Sequence, residues 1–182
     1  MTPWMHHFPI THLRVLLTPT RPGRLPSLPS VAAQGAFLHA FADMVCVSRE
    51  RAQCPPCAQP EQCLQRGWLT VRNRPAPYVL EVAAEGASPV EPGDEIPLFL
   101  TLFGELPRPT ILIETLYRLA RRGWDDGPEH LPLELRSVDA WMPDGGTSII
   151  GDGRLAGPWP FPHPLDQLAP VPENPAGARL QF

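Results

Sequence analysis

The chain has 182 residues, a length that suits one domain of ordinary size followed by a tail. Hydrophobic residues make up 43% of it, enough for a buried core, and no stretch approaches the length of a membrane span. The formal net charge of −4 argues against a general nucleic-acid binder, and the lack of an apolar signal-peptide core near the start favours a cytoplasmic protein that makes no membrane contact.

The charge is unevenly distributed along the chain. Residues 1–80 carry eight arginines against three acids, a net +5, whereas residues 81–182 carry seven arginines against sixteen acids, a net −9. Every basic residue other than histidine is arginine, whose planar fork suits phosphate and stacked bases. Either the first half presents a basic surface to phosphates or the asymmetry is an accident of composition, and a GC-rich genome would also favour arginine over lysine.

Hydrophobic periodicity predicts six main elements. In chain order they are strand Ile10–Thr18, helix Val31–Val45, strands Tyr78–Val82 and Ile96–Phe103, helix Thr110–Arg122 and strand Leu131–Trp141. Ser30 is the expected N-cap of the first helix, and Gly123 is the expected C′ residue of the second. The order β-α-β-β-α-β is the split-βαβ pattern, so the predicted fold is α+β and ferredoxin-like, of the RRM-like kind.

The ferredoxin-like domain is predicted to span residues 8–141. It is interrupted at residues 46–74 by a cysteine-containing insertion that has no convincing periodicity. Residues 142–182 contain eight prolines and many glycines. They are predicted to be an extended linker, or the start of a second domain that the chain does not contain.

All four cysteines lie in the insertion: Cys46, Cys54, Cys57 and Cys63. Their spacing is C-x7-C-x2-C-x5-C, and the Cys54–Cys57 turn can aim two sulfurs at one point. In a cytoplasmic protein such a cluster favours a metal over disulfides. A structural zinc is the first interpretation, because four thiolates leave no open coordination position. An iron–sulfur cluster uses the same ligands, and a remnant site without metal is the third alternative, since the x7 and x5 gaps are not those of a standard knuckle.

Several segments, taken in order, resemble the CRISPR repeat-processing endoribonucleases of the RAMP superfamily. The matching segments are residues 35–41 of the first helix, the cysteine group, residues 74–80 (RPAPYVL) and residues 93–104, which end in LTLFG. The resemblance covers about residues 10–141, and its specificity lies in the ordered combination. It implies a RAMP domain, and members of the family usually have two ferredoxin-like halves. This chain matches only the N-terminal half, and the glycine-rich RNA-contacting loop of the second half has no counterpart here.

The resemblance implies metal-independent RNA cleavage that needs no cofactor. The 2′-OH of a nucleotide attacks the adjacent phosphate and leaves a 2′,3′-cyclic phosphate and a 5′-OH, which requires an acid or base and cations near the phosphorane. The family often places a catalytic histidine on or just after the first helix, and His39 is the match. Asp43, one turn later, could orient the ring through an i,i+4 contact. The alternatives are a surface or helix-packing role for His39, with His12 on the first strand as a weaker catalytic candidate.

The arginines of the first half are the candidate RNA-backbone contacts. The set comprises Arg14, Arg21, Arg24, Arg49, Arg51, Arg72 and Arg74. Trp68 or Tyr78 could stack a base, although both residue types more often pack in a core or at an edge. His130 falls in a loop and has no assigned role.

The implied partners are CRISPR repeat RNA and either other CRISPR effector subunits or a second RAMP domain. Two other functions remain open. One is a non-catalytic RNA-binding RAMP subunit of an effector complex, and the other is a zinc-stabilised interaction module unrelated to RNA.

Overall fold

One large antiparallel sheet with two helices on one of its faces forms most of the described part of the chain, beside two short two-stranded sheets. The computed structural model describes residues 9–46, 77–104, 108–126, 129–142, 145–151, 154–157 and 163–164. The helices are α1 (Pro29–Val45) and α2 (Pro109–Arg122). The strands are β1 (Pro9–Pro19), β2 (Gly23–Arg24), β3 (Tyr78–Val82), β4 (Pro89–Val90), β5 (Ile96–Phe103), β6 (Trp124–Asp126), β7 (Glu129–Leu131), β8 (Leu133–Met142), β9 (Gly145–Gly151), β10 (Arg154–Leu155) and β11 (His163–Pro164).

The strand order of the main sheet is β10-β9-β8-β1-β5-β3, with β11 paired to the start of β1. Numbered by their place in the chain, the four strands of the predicted pattern stand in the order 4-1-3-2, and each is antiparallel to its neighbours. Helix α1 connects β1 to β3, and α2 connects β5 to β8. This is the ferredoxin-like arrangement, so the predicted α+β fold class is confirmed.

The core lies between the sheet and the helices. Alternate residues of the two central strands, among them Leu13, Val15 and Leu100, point to the helices and are fully buried. On α1 the ring of Phe37 packs against Tyr78, with ring centroids 5.1 Å apart and planes inclined by 51°. Burial raises the pKa of Tyr78, and a hydrogen bond with Gln34 acts in the opposite direction. Tyr78 is therefore a core residue and does not form a surface for base stacking.

The C-terminal end of α2 agrees with its prediction from sequence, and the N-terminal end of α1 does not. Gly123 ends α2 with φ +67°, and its N–H donates to the carbonyls of Leu119 and Ala120. The N-cap prediction for α1 is wrong, because the helix begins at Pro29 and the cap position is Leu28. The hydroxyl of Ser30 instead accepts a hydrogen bond from the N–H of Val82, at 3.0 Å. That N–H belongs to β3, which is an edge strand of the sheet. The Ser30 hydroxyl therefore satisfies a backbone donor of β3 and not one of the first turn of α1.

The sheet continues beyond residue 141, where the sequence-based boundary placed the end of the domain. Strand β9 pairs with β8, and β10 pairs with β9. The register shifts between Val138 and Asp139, which leaves one extra residue on β9, and both Ile149 and Ile150 are fully buried. Residues up to 155 are therefore part of this sheet.

Helices α1 and α2 are the two helices of the described ranges. Neither of them is long and apolar enough to cross a membrane.

Candidate nucleic-acid interface

The second face of the sheet, opposite the helices, carries two rows of side chains that we call the open face. Each row runs along the hydrogen-bonding direction from strand to strand. The first row is Val79, Thr101 and His12, and the second is Glu81, Phe99, Arg14, Asp139 and Ser148. Val79 is 54% exposed and Glu81 is exposed, whereas the residues of the two central strands are half-buried. The open face therefore combines rings, a cation and short polar groups on a rigid support.

Two rings lie side by side at the centre of the open face. His12 of β1 and Phe99 of β5 are stacked, with centroids 6.1 Å apart and planes inclined by only 8°. The pair is diagonal in the register, because His12 lies opposite Thr101, two residues from Phe99. Such offset stacking is a favourable arrangement for two aromatic rings.

One ring nitrogen of His12 has a hydrogen-bond partner, and the other has none among the described residues. Its Nδ1 lies 2.7 Å from the hydroxyl oxygen of Thr101. Its Nε2 is buried and has no hydrogen-bond partner among the described residues. Burial of the ring lowers the pKa of His12 below its usual 6.5, so the imidazole is neutral at neutral pH. A buried polar atom without a partner costs about 1–3 kcal/mol, and a bound group that reached Nε2 would recover part of that energy.

Acid will destabilise the protein through His12. The folded state holds the pKa of His12 below 6.5, so the unfolded chain binds more protons as pH falls below that value. This part of the stability is complete above pH 6.5 and declines as pH falls towards the folded pKa. We expect His12→Gln to flatten the dependence of unfolding free energy on pH below 6.5, as measured by urea unfolding. Equal slopes for wild type and His12→Gln would contradict this.

The predicted RNA-binding arginines do not share one surface. Arg14 lies on the open face between Asp139 and Phe99. Arg21 and Arg24 lie beyond the end of β1, and each donates one N–H to a backbone carbonyl, of His130 and Ala87 respectively, at 2.7 Å. The other predicted contacts, Arg49, Arg51, Arg72 and Arg74, lie outside the described residues, as does Trp68.

His39 is separated from the open face by the sheet itself. It lies on α1, and its side chain is exposed while its neighbours Ala40 and Phe41 are buried in the core. Since α1 covers the face opposite His12, the two histidines are on opposite sides of the sheet. A nucleotide held at the His12–Phe99 pair could not reach the imidazole of His39.

The proposed metal ligands fall mostly outside the described residues. Cys46 directly follows α1, is half-buried, and its backbone N–H donates to the carbonyl of Ala42 at 2.9 Å. Cys54, Cys57 and Cys63 lie in the part of the chain that is not described. Within the described ranges no group of three His, Cys, Asp or Glu could hold a metal. The tetrathiolate site therefore stays a prediction.

Sequence reasoning missed Phe99. The run Ile96–Phe103 is apolar on both faces, a pattern typical of a strand that is covered on both sides or lies at the centre of a sheet. The signal was available in the alternation, since the aliphatic residues are buried and the residues between them, including Phe99 and Thr101, are half-buried. An aromatic residue of a central strand that faces away from the helices indicates a surface on which bases can stack. One that faces the helices indicates packing in the core.

The topology and the open face together define the class of protein. The molecule is a ferredoxin-like α+β domain whose antiparallel sheet contains the four strands of that fold, and the helix-free face carries rings on the two central strands β1 and β5. Residues 8–159 match the model of the family AF_1859_N, which is described as an N-terminal domain. The match extends over most of the sequence, and the chain belongs to this family.

Individual proteins are less informative about this chain than the family match. The fold is similar to a chain in the crystal structure of the Csm3–Csm4 subcomplex of the type III-A CRISPR–Cas interference complex, with 8% identity and a TM-score of 0.47. The alignment covers 72% of this chain and 78% of that chain. A likeness at this level carries no argument about function. No curated protein matches the chain.

Proposed function

We propose that this chain is an RNA-binding domain that takes single-stranded RNA on its open face. The observation that carries the proposal is the stacked His12–Phe99 pair on the two central strands of a sheet whose other face is covered by helices. RRM modules, which share this arrangement, stack two or three bases on aromatic residues of a four-stranded sheet. Phe99 supplies an aromatic face, and the neutral His12 ring supplies a second one without repelling Arg14.

The remaining groups of the open face suit the polar parts of a nucleotide. Arg14 lies next to Phe99 in the second row, where its guanidinium can contact a phosphate or stack on a base. Thr101 and Asp139 offer hydrogen-bonding groups on either side of the central rings. Exposed Val79 extends the apolar surface to the edge strand. Carboxylates at Glu81 and Asp139 keep the net charge of the face low, so stacking rather than phosphate attraction is expected to dominate affinity.

We further propose that the RNA is a CRISPR repeat and that the chain is the N-terminal half of a repeat-processing endoribonuclease. The support is the ordered sequence resemblance together with the ferredoxin-like fold. In this proposal the 2′-OH attacks the adjacent phosphate without a metal, and His39 is the acid or base. Other CRISPR effector subunits or a second RAMP domain would be the protein partners. A structural zinc on Cys46, Cys54, Cys57 and Cys63 would stabilise the insertion without entering the reaction.

A second candidate is a non-catalytic RNA-binding RAMP subunit. One observation favours it, namely that His39 and the open face are on opposite sides of the sheet. If His39 acts, the RNA must continue around an edge of the domain from the bases stacked at Phe99. If it does not, the open face serves as a scaffold for RNA whose cleavage is performed elsewhere. A zinc-stabilised interaction module would bind no RNA at all.

Cleavage of a labelled CRISPR repeat RNA in excess EDTA separates these functions. We expect the wild type to cleave with EDTA present and His39→Ala to lose about 100-fold or more in rate while still binding the RNA, as for removal of a general acid or base. Binding without cleavage by the wild type would favour the scaffold. Failure to bind RNA even at low salt would leave only the interaction module.

A further inference from the structure

A histidine–carboxylate pair lies on the β6–β7 hairpin, at the end of β1 remote from His12. Asp125 and His130 are directly opposite in the register, and His130 Nδ1 lies 2.7 Å from Asp125 Oδ1. The side chains are 44% and 64% exposed for His130 and Asp125 respectively, so a ligand from solvent can reach both. An ionised carboxylate only accepts hydrogen bonds, so Nδ1 carries the proton of this contact, and Nε2 is the nitrogen that could act as a base.

Two further contacts involve His130, one at its ring and one at its backbone. Gly123 has φ +67° and lies so close to the ring that a Cβ there would be 2.9 Å from Cε1 and 3.1 Å from Nε2 of His130. The guanidinium of Arg21 donates through Nη2 to the backbone carbonyl of His130 at 2.7 Å. Thr20, which directly precedes Arg21, donates its N–H to the carbonyl of Pro132 at 3.1 Å. The loop after β1 is thereby fixed to the strand that carries the histidine.

Three arginines lie on the elements that precede and contact this pair. Arg21 keeps further N–H donors beyond the one given to His130. Arg121 and Arg122 form the last turn of α2 directly before Gly123, and both are exposed. A positioned imidazole beside guanidinium groups is the combination that cleavage of RNA by its own 2′-OH requires, since charge develops on the phosphorane oxygens.

We propose that His130 is the general base for RNA cleavage, with Asp125 as its positioning residue and Arg21 as a phosphate contact. His130 Nε2 takes the proton of the 2′-OH as the 2′-oxygen forms a bond to phosphorus. The bond from phosphorus to the 5′-oxygen breaks, that oxygen takes a proton from water, and His130 returns its proton to the solvent. The products are a 2′,3′-cyclic phosphate and a 5′-OH, and no metal or other reactant is consumed.

This inference rests on the proposed function, because it assigns a base to the cleavage proposed above. It replaces the His39 assignment of the proposed function by a base on a different element, so under this inference His39→Ala would cleave at the wild-type rate. The resemblance implies His39 on α1, whose imidazole has no hydrogen-bond partner among the described residues that would orient it. His130 has a carboxylate partner and a backbone contact that fix its ring. Asp125 would also stabilise the imidazolium that forms when the ring accepts a proton.

The test measures single-turnover cleavage of the labelled repeat RNA in EDTA, with RNA affinity measured separately. We expect His130→Ala to lose about 100-fold or more in rate with unchanged affinity, and added imidazole to restore part of that rate. Asp125→Asn should lower the rate without weakening binding, and Asp125→Glu should recover part of it. Glu114→Gln is the matched control, since it removes the carboxylate of another exposed ion pair, with Arg118 at 2.9 Å, and should leave the rate unchanged.

The outcomes separate the two proposals. If the wild type cleaves and His130→Ala cleaves equally fast, the inference is overturned while the endoribonuclease function stands. If the wild type binds the RNA and does not cleave it, both the cleavage and its base are overturned. A slow His130→Ala variant that imidazole does not restore, and whose melting temperature has fallen, would indicate a structural role and would also overturn the inference.

Discussion

Replacing Phe99 by leucine will weaken the binding of single-stranded RNA by about 5- to 150-fold, because one base–aromatic stacking contact is worth about 1–3 kcal/mol. Leucine keeps an apolar side chain of similar size in the half-buried position and removes only the aromatic face. The loss should be nearly independent of base sequence, since every base has a π-face. Fluorescence anisotropy with a labelled oligonucleotide at fixed salt measures the change.

Two further variants make this result interpretable. Phe99→Tyr retains the ring and should bind RNA almost as well as the wild type. Val31→Ala changes an exposed apolar residue of α1, 61% exposed on the side of the sheet away from the open face, and should have no effect. An affinity unchanged by Phe99→Leu, or lowered equally by Val31→Ala, would show that RNA does not stack on the open face.

Replacing Ile150 by alanine will lower the free energy of unfolding by about 2–5 kcal/mol, the usual range for truncating a buried isoleucine. Ile150 is fully buried on β9 and lies opposite Val138 of β8. A chain that ends at residue 141 loses both buried isoleucines and all pairing of β8 with β9, and we expect it to be largely unfolded. Chemical unfolding followed by circular dichroism measures both effects.

The comparison variant for Ile150 is Ser148→Ala, an exposed position on the same strand. It should change the unfolding free energy by less than about 0.5 kcal/mol. If the chain ending at residue 141 unfolded with the stability of the full chain, β9 would lie outside the cooperative unit. The predicted domain boundary would then be the right one.

The sequence did not predict β9 as a strand, and there is a physical reason for this. Its sequence, GGTSIIG, has only two large apolar residues among three glycines, too few for a period of two to be recognised. Glycine is disfavoured in strands, and this segment forms one only because β8 offers a paired edge and a bulge that buries both isoleucines. By contrast β3 and β5 were predicted with their observed bounds, since their apolar residues and flanking turn residues are unambiguous.

The candidate sites were predictable to very different degrees. His12 and Arg14 could be placed on a central strand from sequence, and their spacing of two residues already put them on one face. Their proximity to Phe99 could not be deduced, because it depends on the register of β1 against β5, two strands some 80 residues apart. The pairing of Asp125 with His130 depends on the register of β6 against β7 and on the close approach at Gly123.

The amino-acid sequence by itself determined the order and type of the six main elements, because hydrophobic periodicity and glycine or proline boundaries act locally. It also determined which half is basic and where the four cysteines cluster. Only the tertiary structure decided which side chains share a face. His39 was the first catalytic candidate along the chain and His12 the weaker one, and only the packing of α1 put them on opposite sides of the sheet. That partition follows from burying one face of the sheet under both helices, a long-range effect that no local pattern encodes.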